Sequence, residues 1–193
     1  MKQGRRGLNP DDLILYYIYF IYFMRKTLYL AMFFALFCCA ACNKTVPGFD
    51  MPYRRTFDLP IGLDPFALHN FSFKEISTDT ALIFKANNVT SDKVSRIEPK
   101  TMVLRGLFVA SNYGFIEKVE VRISTATVGE QIIFFRDQIP ANTGEKLDLI
   151  PNNVDVKPYL MGGKFNVRMI LTLRDSPPKT FETEVPMTFF AKI

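Results

Sequence analysis

Residues 164–174 read KFNVRMILTLR, and their alternation decides the fold. Phe165, Val167, Met169, Leu171 and Leu173 take one parity, while Lys164, Asn166, Arg168, Thr172 and Arg174 take the other. Successive side chains of a strand point to opposite faces, so this period of two predicts a strand buried on its odd side. The same signature recurs upstream, where Val119, Val121 and Ile123 alternate with Lys118, Glu120, Arg122 and Ser124. Downstream, the turn Asp175–Pro178 (DSPP) leads to a returning strand carrying Phe181, Val185, Met187 and Phe189. Pro186 within it has no amide to donate, which predicts a sheet edge or a bulge.

Working outward, residues 101–109, 131–135, 53–59 and 71–75 supply four more strands, punctuated by Gly114, Pro140, Gly144, Pro151 and the Gly162, Gly163 pair. Six to eight short strands at such spacing predict an all-β sandwich or barrel. Helix is confined to two connections. One is Thr80–Ala86 (TALIFKA) behind a capping Asp79, and the other is residues 154–161, stopped by Gly162.

The front of the chain has a different character. Apolar residues crowd into 13–24 (LILYYIYFIYFM) and 27–42 (TLYLAMFFALFCCAAC), separated by Arg25 and Lys26. A spanning helix needs about 20 apolar residues, and neither run reaches that. Read from Met24, however, a basic start, an apolar stretch and a small-residue end follow in the order of a secretory signal. This divides the chain into 1–23, an over-extended gene start; 24–41, a signal peptide; 42–48, a tether; and 49–193, the β domain. The alternative keeps residues 13–41 as one uncleaved anchor, but Arg25 and Lys26 at its centre would cost several kcal/mol unless partnered.

Cys39, Ala40, Ala41 and Cys42 resemble a bacterial lipobox, in which small residues precede a cysteine that receives the lipid. Cys39 stands where the pattern prefers Leu. The resemblance implies cleavage in the region Cys39, Ala40, Ala41 and acylation, of the palmitate type, at Cys42. Asn43 in place of the Asp that signals inner-membrane retention implies the outer membrane. Asn43, Lys44 and Thr45 lack the acidic run associated with surface export, which favours the periplasmic face. Residues 95–192 are similar to a broad group of Gram-negative envelope lipoproteins through Ile97-Glu98-Pro99-Lys100, Phe115 to Val119, Leu147-Asp148-Leu149, Tyr159-Leu160 and a final hairpin. That resemblance implies an immunoglobulin-like β-sandwich of undetermined activity and carries over no catalytic residue.

The chain has 24 Lys plus Arg against 19 Asp plus Glu, but residues 1–42 hold five of the basic and two of the acidic side chains. What remains, 19 against 17, is nearly balanced, so the clustered basic face needed for nucleic acid is not expected. His69 is the single histidine, which excludes Ser-His-Asp, Cys-His and multi-histidine metal sites within the chain. No G-x-S-x-G or phosphate-binding glycine motif occurs, and no cofactor is implied. Asp148, Asn152, Asn153 and Asp155 offer oxygen ligands without EF-hand spacing; the plainer reading has Asn152 and Asn153 turning the chain and capping the following helix. Asp79-Thr80-Ala81 matches a short acceptor pattern for O-linked sugar at Thr80, in competition with the capping role of Asp79.

Two functions follow as expectations. The first is a non-enzymatic lipoprotein whose partners are the bilayer, through acylated Cys42, and a protein or glycan ligand. The second is an envelope hydrolase built from scattered carboxylates. An enzyme should show convergent polar groups with shifted pKa values in a hollow; a binding module should show an exposed apolar patch or an open sheet edge.

Overall fold

The computed structural model describes residues 20–26, 47–107 and 112–193. The chain divides into two units, Met1–Thr45 and Val46–Ile193. In the first, residues 20–26 are helical; Cys39, Ala40, Ala41 and Cys42 lie outside the described residues. Among the described residues, no helix is long and apolar enough to cross a membrane.

The second unit is all-β and antiparallel. Its strands are β1 (Gly48–Leu59), β2 (Leu68–Ser77), β3 (Arg96–Gly106), β4 (Ile116–Ser124), β5 (Gln131–Arg136), β6 (Lys146–Pro151), β7 (Lys164–Leu173) and β8 (Phe181–Lys192). They run in the spatial order β1-β8-β3-β6-β5-β4-β7-β2. Only the pairs Phe134↔Pro151 and Phe135↔Ile150 join β5 to β6. The order therefore falls into two four-stranded groups with a narrow hinge of ladder between them. At the opposite seam β1 and β2 share no ladder among the described residues, yet the Phe57 ring of β1 lies 4.7 Å from Phe71 and 5.8 Å from Phe73 of β2. Nearby, the Tyr53 hydroxyl donates to the Thr78 carbonyl at 2.6 Å. The sheet thus curls until its outer strands meet, closed on one side by backbone bonds and on the other by side chains.

The predicted alternation places the core correctly: Val119, Val121, Ile123, Phe165, Val167, Met169, Leu171 and Leu173 are all buried. An aromatic cluster ties the two groups together, with Tyr53 5.1 Å from Phe165 and 5.7 Å from Phe189, and Phe134 6.3 Å from Phe189. Such ring pairs add about 0.5–1.5 kcal/mol each beyond the area they bury.

Several local expectations are corrected. β7 and β8 form no hairpin: β7 pairs with β4 and β2, and β8 with β1 and β3, so the DSPP turn carries the chain from one group to the other. Pro186 is on an internal strand; it is tolerated because the β3–β8 ladder lapses opposite it, between Met102↔Met187 and Arg105↔Glu184. β6 is a strand that the short Leu147-Asp148-Leu149 alternation only hints at. The second helix shrinks to Lys157–Leu160, with Pro158 in its first turn. Asp79 occupies the N-cap position of the helix Thr80–Ala86 in a left-handed conformation and caps nothing; its carboxylate instead accepts from Ser77 Oγ at 2.6 Å.

The long strands define two ends. The chain enters β1 at Gly48, opposite Lys192, and leaves it at Leu59, opposite Phe181. Over twelve residues at roughly 3.3 Å each, these ends are on the order of 36 Å apart. The entry end also holds both helices, and the far end holds the β1–β2 and β7–β8 connections.

Candidate functional site

At the far end the chain between β1 and β2 reads PIGLDPFA, residues 60–67. Pro60 and Pro65 restrict φ, and Gly62 takes a φ of +77°, so the segment is built as a turn. Asp64 organises it. Its Oδ1 accepts from the Phe66 amide at 2.9 Å, and its carbonyl accepts from the Ala67 amide at 3.2 Å. His69 Nε2 sits 2.8 Å from that same carbonyl, which makes it the donor and gives the lone histidine a structural task. Two further bonds pin the turn to the β7–β8 connection: Ser176 Oγ donates to the Leu63 carbonyl at 2.9 Å, and the Ile61 amide donates to Thr180 Oγ1 at 3.2 Å.

This well-bonded turn packs Leu63 against the core but leaves other apolar side chains outside. Phe66 is 96% exposed, Leu68 66% and Ile61 62%. Burying a Phe side chain is worth about 1.5–3 kcal/mol, a gain this loop leaves unrealised in the isolated chain. The hydrogen bonds fix the backbone of Phe66, so its side-chain torsions are what covering the ring would still have to order. Beside it, Arg174 donates to the Ile139 carbonyl and lines a hollow of about 300 Å³ with Asn112, Gly114, Asp175 and Ser176. Gly114 is required there: a Cβ would stand 1.9 Å from the Ala141 carbonyl oxygen.

A second polar cluster lies on the outer face of β4 and β7. Arg122 and Arg168 are directly opposite across the ladder, a like-charge pairing that Glu130 resolves by accepting from both, at 3.3 Å from Arg122. Glu120 closes on Arg122 at 2.5 Å, and Asn70 Oδ1 accepts from Arg168 at 3.4 Å. Hydrogen bonding to Arg168, then to Arg122, holds the Glu130 carboxyl below the usual range, and bonding to Glu120 raises the Arg122 guanidinium further. A general acid of a carboxylate hydrolase needs the opposite shift, so this cluster is suited to holding a face together rather than to proton transfer.

The remaining sequence candidates scatter. Asp148 pairs with Lys146 at 2.9 Å, Asn152 Nδ2 donates to the Ile132 carbonyl at 3.0 Å, and Asn153 Oδ1 accepts from Arg96 at 2.9 Å. Asp155 Oδ1 takes the amides of Ile97 and Lys157 at 3.2 and 2.9 Å, so Asp155, not Asn152 or Asn153, secures the helix start. Among the described residues no group of three or more His, Cys, Asp and Glu is placed to hold a metal. Thr80 is buried: its hydroxyl lies 3.0 Å from Thr78 Oγ1 and donates to the Leu160 carbonyl at 3.3 Å. Sugar transfer to it in the folded domain would require breaking both contacts.

Sequence reasoning overlooked the Phe66 turn. The available signal was Ile61 and Phe66 set among Pro60, Gly62, Asp64 and Pro65, apolar residues in a segment of turn composition where no core can receive them. Compared with known families and with curated proteins, the chain matches no family model and no curated protein.

Proposed function

We propose that this chain is a lipid-anchored envelope lipoprotein, held at Cys42 on the periplasmic face of the outer membrane, whose β domain is a non-enzymatic binding module. The observation that carries the binding assignment is Phe66, 96% exposed on a turn fixed by its own hydrogen bonds. With Ile61 and Leu68 it forms an apolar contact surface on the order of 36 Å from Gly48, where the chain enters the sheet. The partner it suits is a protein or glycan that covers a flat apolar ring. The division into two four-stranded groups favours an immunoglobulin-like sandwich, whereas the β7–β8 crossing departs from the final hairpin of the resembling lipoproteins.

Two experiments test this. Metabolic labelling with a palmitate analogue should mark wild type, Cys38→Ala and Cys39→Ala and leave Cys42→Ala unlabelled; a labelled Cys42→Ala protein overturns the anchor. A photo-crosslinking residue placed at position 66 in living cells should give a discrete adduct that the same residue at position 55, exposed on β1, does not. Identical patterns from both positions would overturn the contact surface.

A further inference from the structure

The entry end carries its own apolar surface, which no other element among the described residues covers. A groove of about 640 Å³ runs beside the helix Thr80–Ala86, walled by Ala81, Phe84, Val89 and Met161, with Lys85 and Ser91 among its polar lining. Leu82 is 69% exposed, three residues from Lys85 and hence its neighbour on the helix surface; Met161 is 40% exposed. The groove is fixed to the point of chain entry, because the Phe84 ring packs edge-on against Phe49 at 5.6 Å and the Ile193 amide donates to the Pro47 carbonyl at 3.0 Å. Between Pro47 and Cys42 stand only Asn43, Lys44, Thr45 and Val46. The five residue-to-residue steps from Cys42 to Pro47 reach at most about 18 Å.

On the lipoprotein reading above, we propose that this groove and the side chains around it are a second, non-covalent membrane attachment, its occupant the phospholipid bilayer into which the Cys42 lipid is inserted. The short tether confines the entry end to the interface, and confinement at high effective concentration turns weak apolar contacts into persistent ones. Leu82 and Met161 dip toward the acyl boundary while Lys85 keeps its ammonium among the headgroup phosphates, the division of labour usual for a long cationic side chain. The domain is then held upright, with the Phe66 surface turned away from the membrane.

The chain contains no tryptophan, so a single introduced one reports alone. Leu82→Trp, Met161→Trp and Phe66→Trp are each made in the full-length protein, purified from membranes, and reconstituted into phosphatidylethanolamine/phosphatidylglycerol vesicles with and without brominated acyl chains. Acylation of each sample is checked by intact mass. The expected result is that Leu82→Trp and Met161→Trp lose most of their emission to bromine and Phe66→Trp loses none. With the acyl mass present, emission at positions 82 and 161 as insensitive as at 66 overturns the docking face and leaves the anchor standing. Absence of the acyl mass overturns both. A blue shift at position 82 that rises with protein concentration and ignores bromine identifies a second copy as the occupant and likewise overturns the proposal.

Discussion

The two ends of the curled sheet are both packed with rings, but only one of them leaves a large aromatic outside. The entry end is closed by packing: Phe84 of the helix Thr80–Ala86 is 5% exposed and meets Phe49 edge to face. The far end has its own ring packing, with Phe115 stacked on Phe181 at 5.7 Å, and adds hydrogen bonds between loops: Ser176 on Leu63, Thr180 under Ile61, and the Arg174 and Asp175 amides on the Phe115 carbonyl at 2.9 and 3.3 Å. Packing gains stability from every apolar group it covers, whereas hydrogen bonds between loops add definition at little net gain, because water competes for the same bonds. The turn of residues 60–67 is held by bonds of the second kind, and Phe66 stays outside on it.

Truncating the helix side of the entry end should have the largest effect. Phe84→Ala is expected to lower unfolding free energy by about 3–5 kcal/mol, read as a urea midpoint shift at unchanged slope. A loss below about 1 kcal/mol would mean that the helix is an appendage and that the ends do not differ as described.

The far end should respond less, and with a pH signature. Tyr113 is fully buried with its hydroxyl 3.0 Å from Thr183 Oγ1, so Tyr113→Phe should cost about 1–3 kcal/mol by leaving a buried hydroxyl unpaired. Burial pushes the Tyr113 phenol from 10.0 up to about 12, partly offset by its bond to Thr183. A folded value above the unfolded one means that the contribution is complete below pH 10.0 and is lost as pH rises through about 12. Denaturation midpoints should accordingly be steady below that window and fall within it, less steeply in Tyr113→Phe. Buried Tyr53, raised in the same direction by burial and then by Asp79, supplies the slope that remains. Equal slopes in the two proteins would remove Tyr113 from the account.

Smallest of all, Phe66→Ala should change stability by less than about 0.5 kcal/mol, as for most exposed positions, while abolishing any interaction made through the tip. A midpoint loss comparable to that of Phe84→Ala would show that Phe66 is packed and that the contrast between the ends is false.

What the sequence made legible follows from which forces are periodic. Phe165 to Leu173 and Val119 to Ile123 could be placed on the inner face because burial repeats every second residue along a strand. Topology has no such signature. Nothing in DSPP distinguishes a hairpin from a crossing between strand groups, since either uses the same prolines, and the outcome depends on which distant strands, β1 and β3, claim β8. Arg168 illustrates the same limit on the outer face. Its parity was readable, but Glu130 lies thirty-eight positions away, in the β4–β5 connection, and is brought to it by the β4–β5 and β4–β7 pairings together. The helix Thr80–Ala86 was found with its bounds intact, yet the capping role inferred for Asp79 failed because its left-handed backbone aims the carboxylate at Ser77. Phe66 was missed for a different reason: periodicity reports what is buried, and a contact residue on a turn obeys no period.

The pairing of the first strand with the last, Gly48 with Lys192 through Leu59 with Phe181, also dictates the order of assembly. β8 is the bridge in β1-β8-β3, so until residues 181–192 are synthesised β1 has no ladder to join and β3 lacks one of its two neighbours. A chain emerging N-terminus first must keep β1 waiting as an unpaired twelve-residue strand while the rest of the domain is made, and then close the longest loop in the molecule last. Terminal residues are usually the most dispensable part of a domain. Here they are a keystone: a nascent chain stalled before Phe181, or one clipped there, would be left with two strand edges seeking other partners.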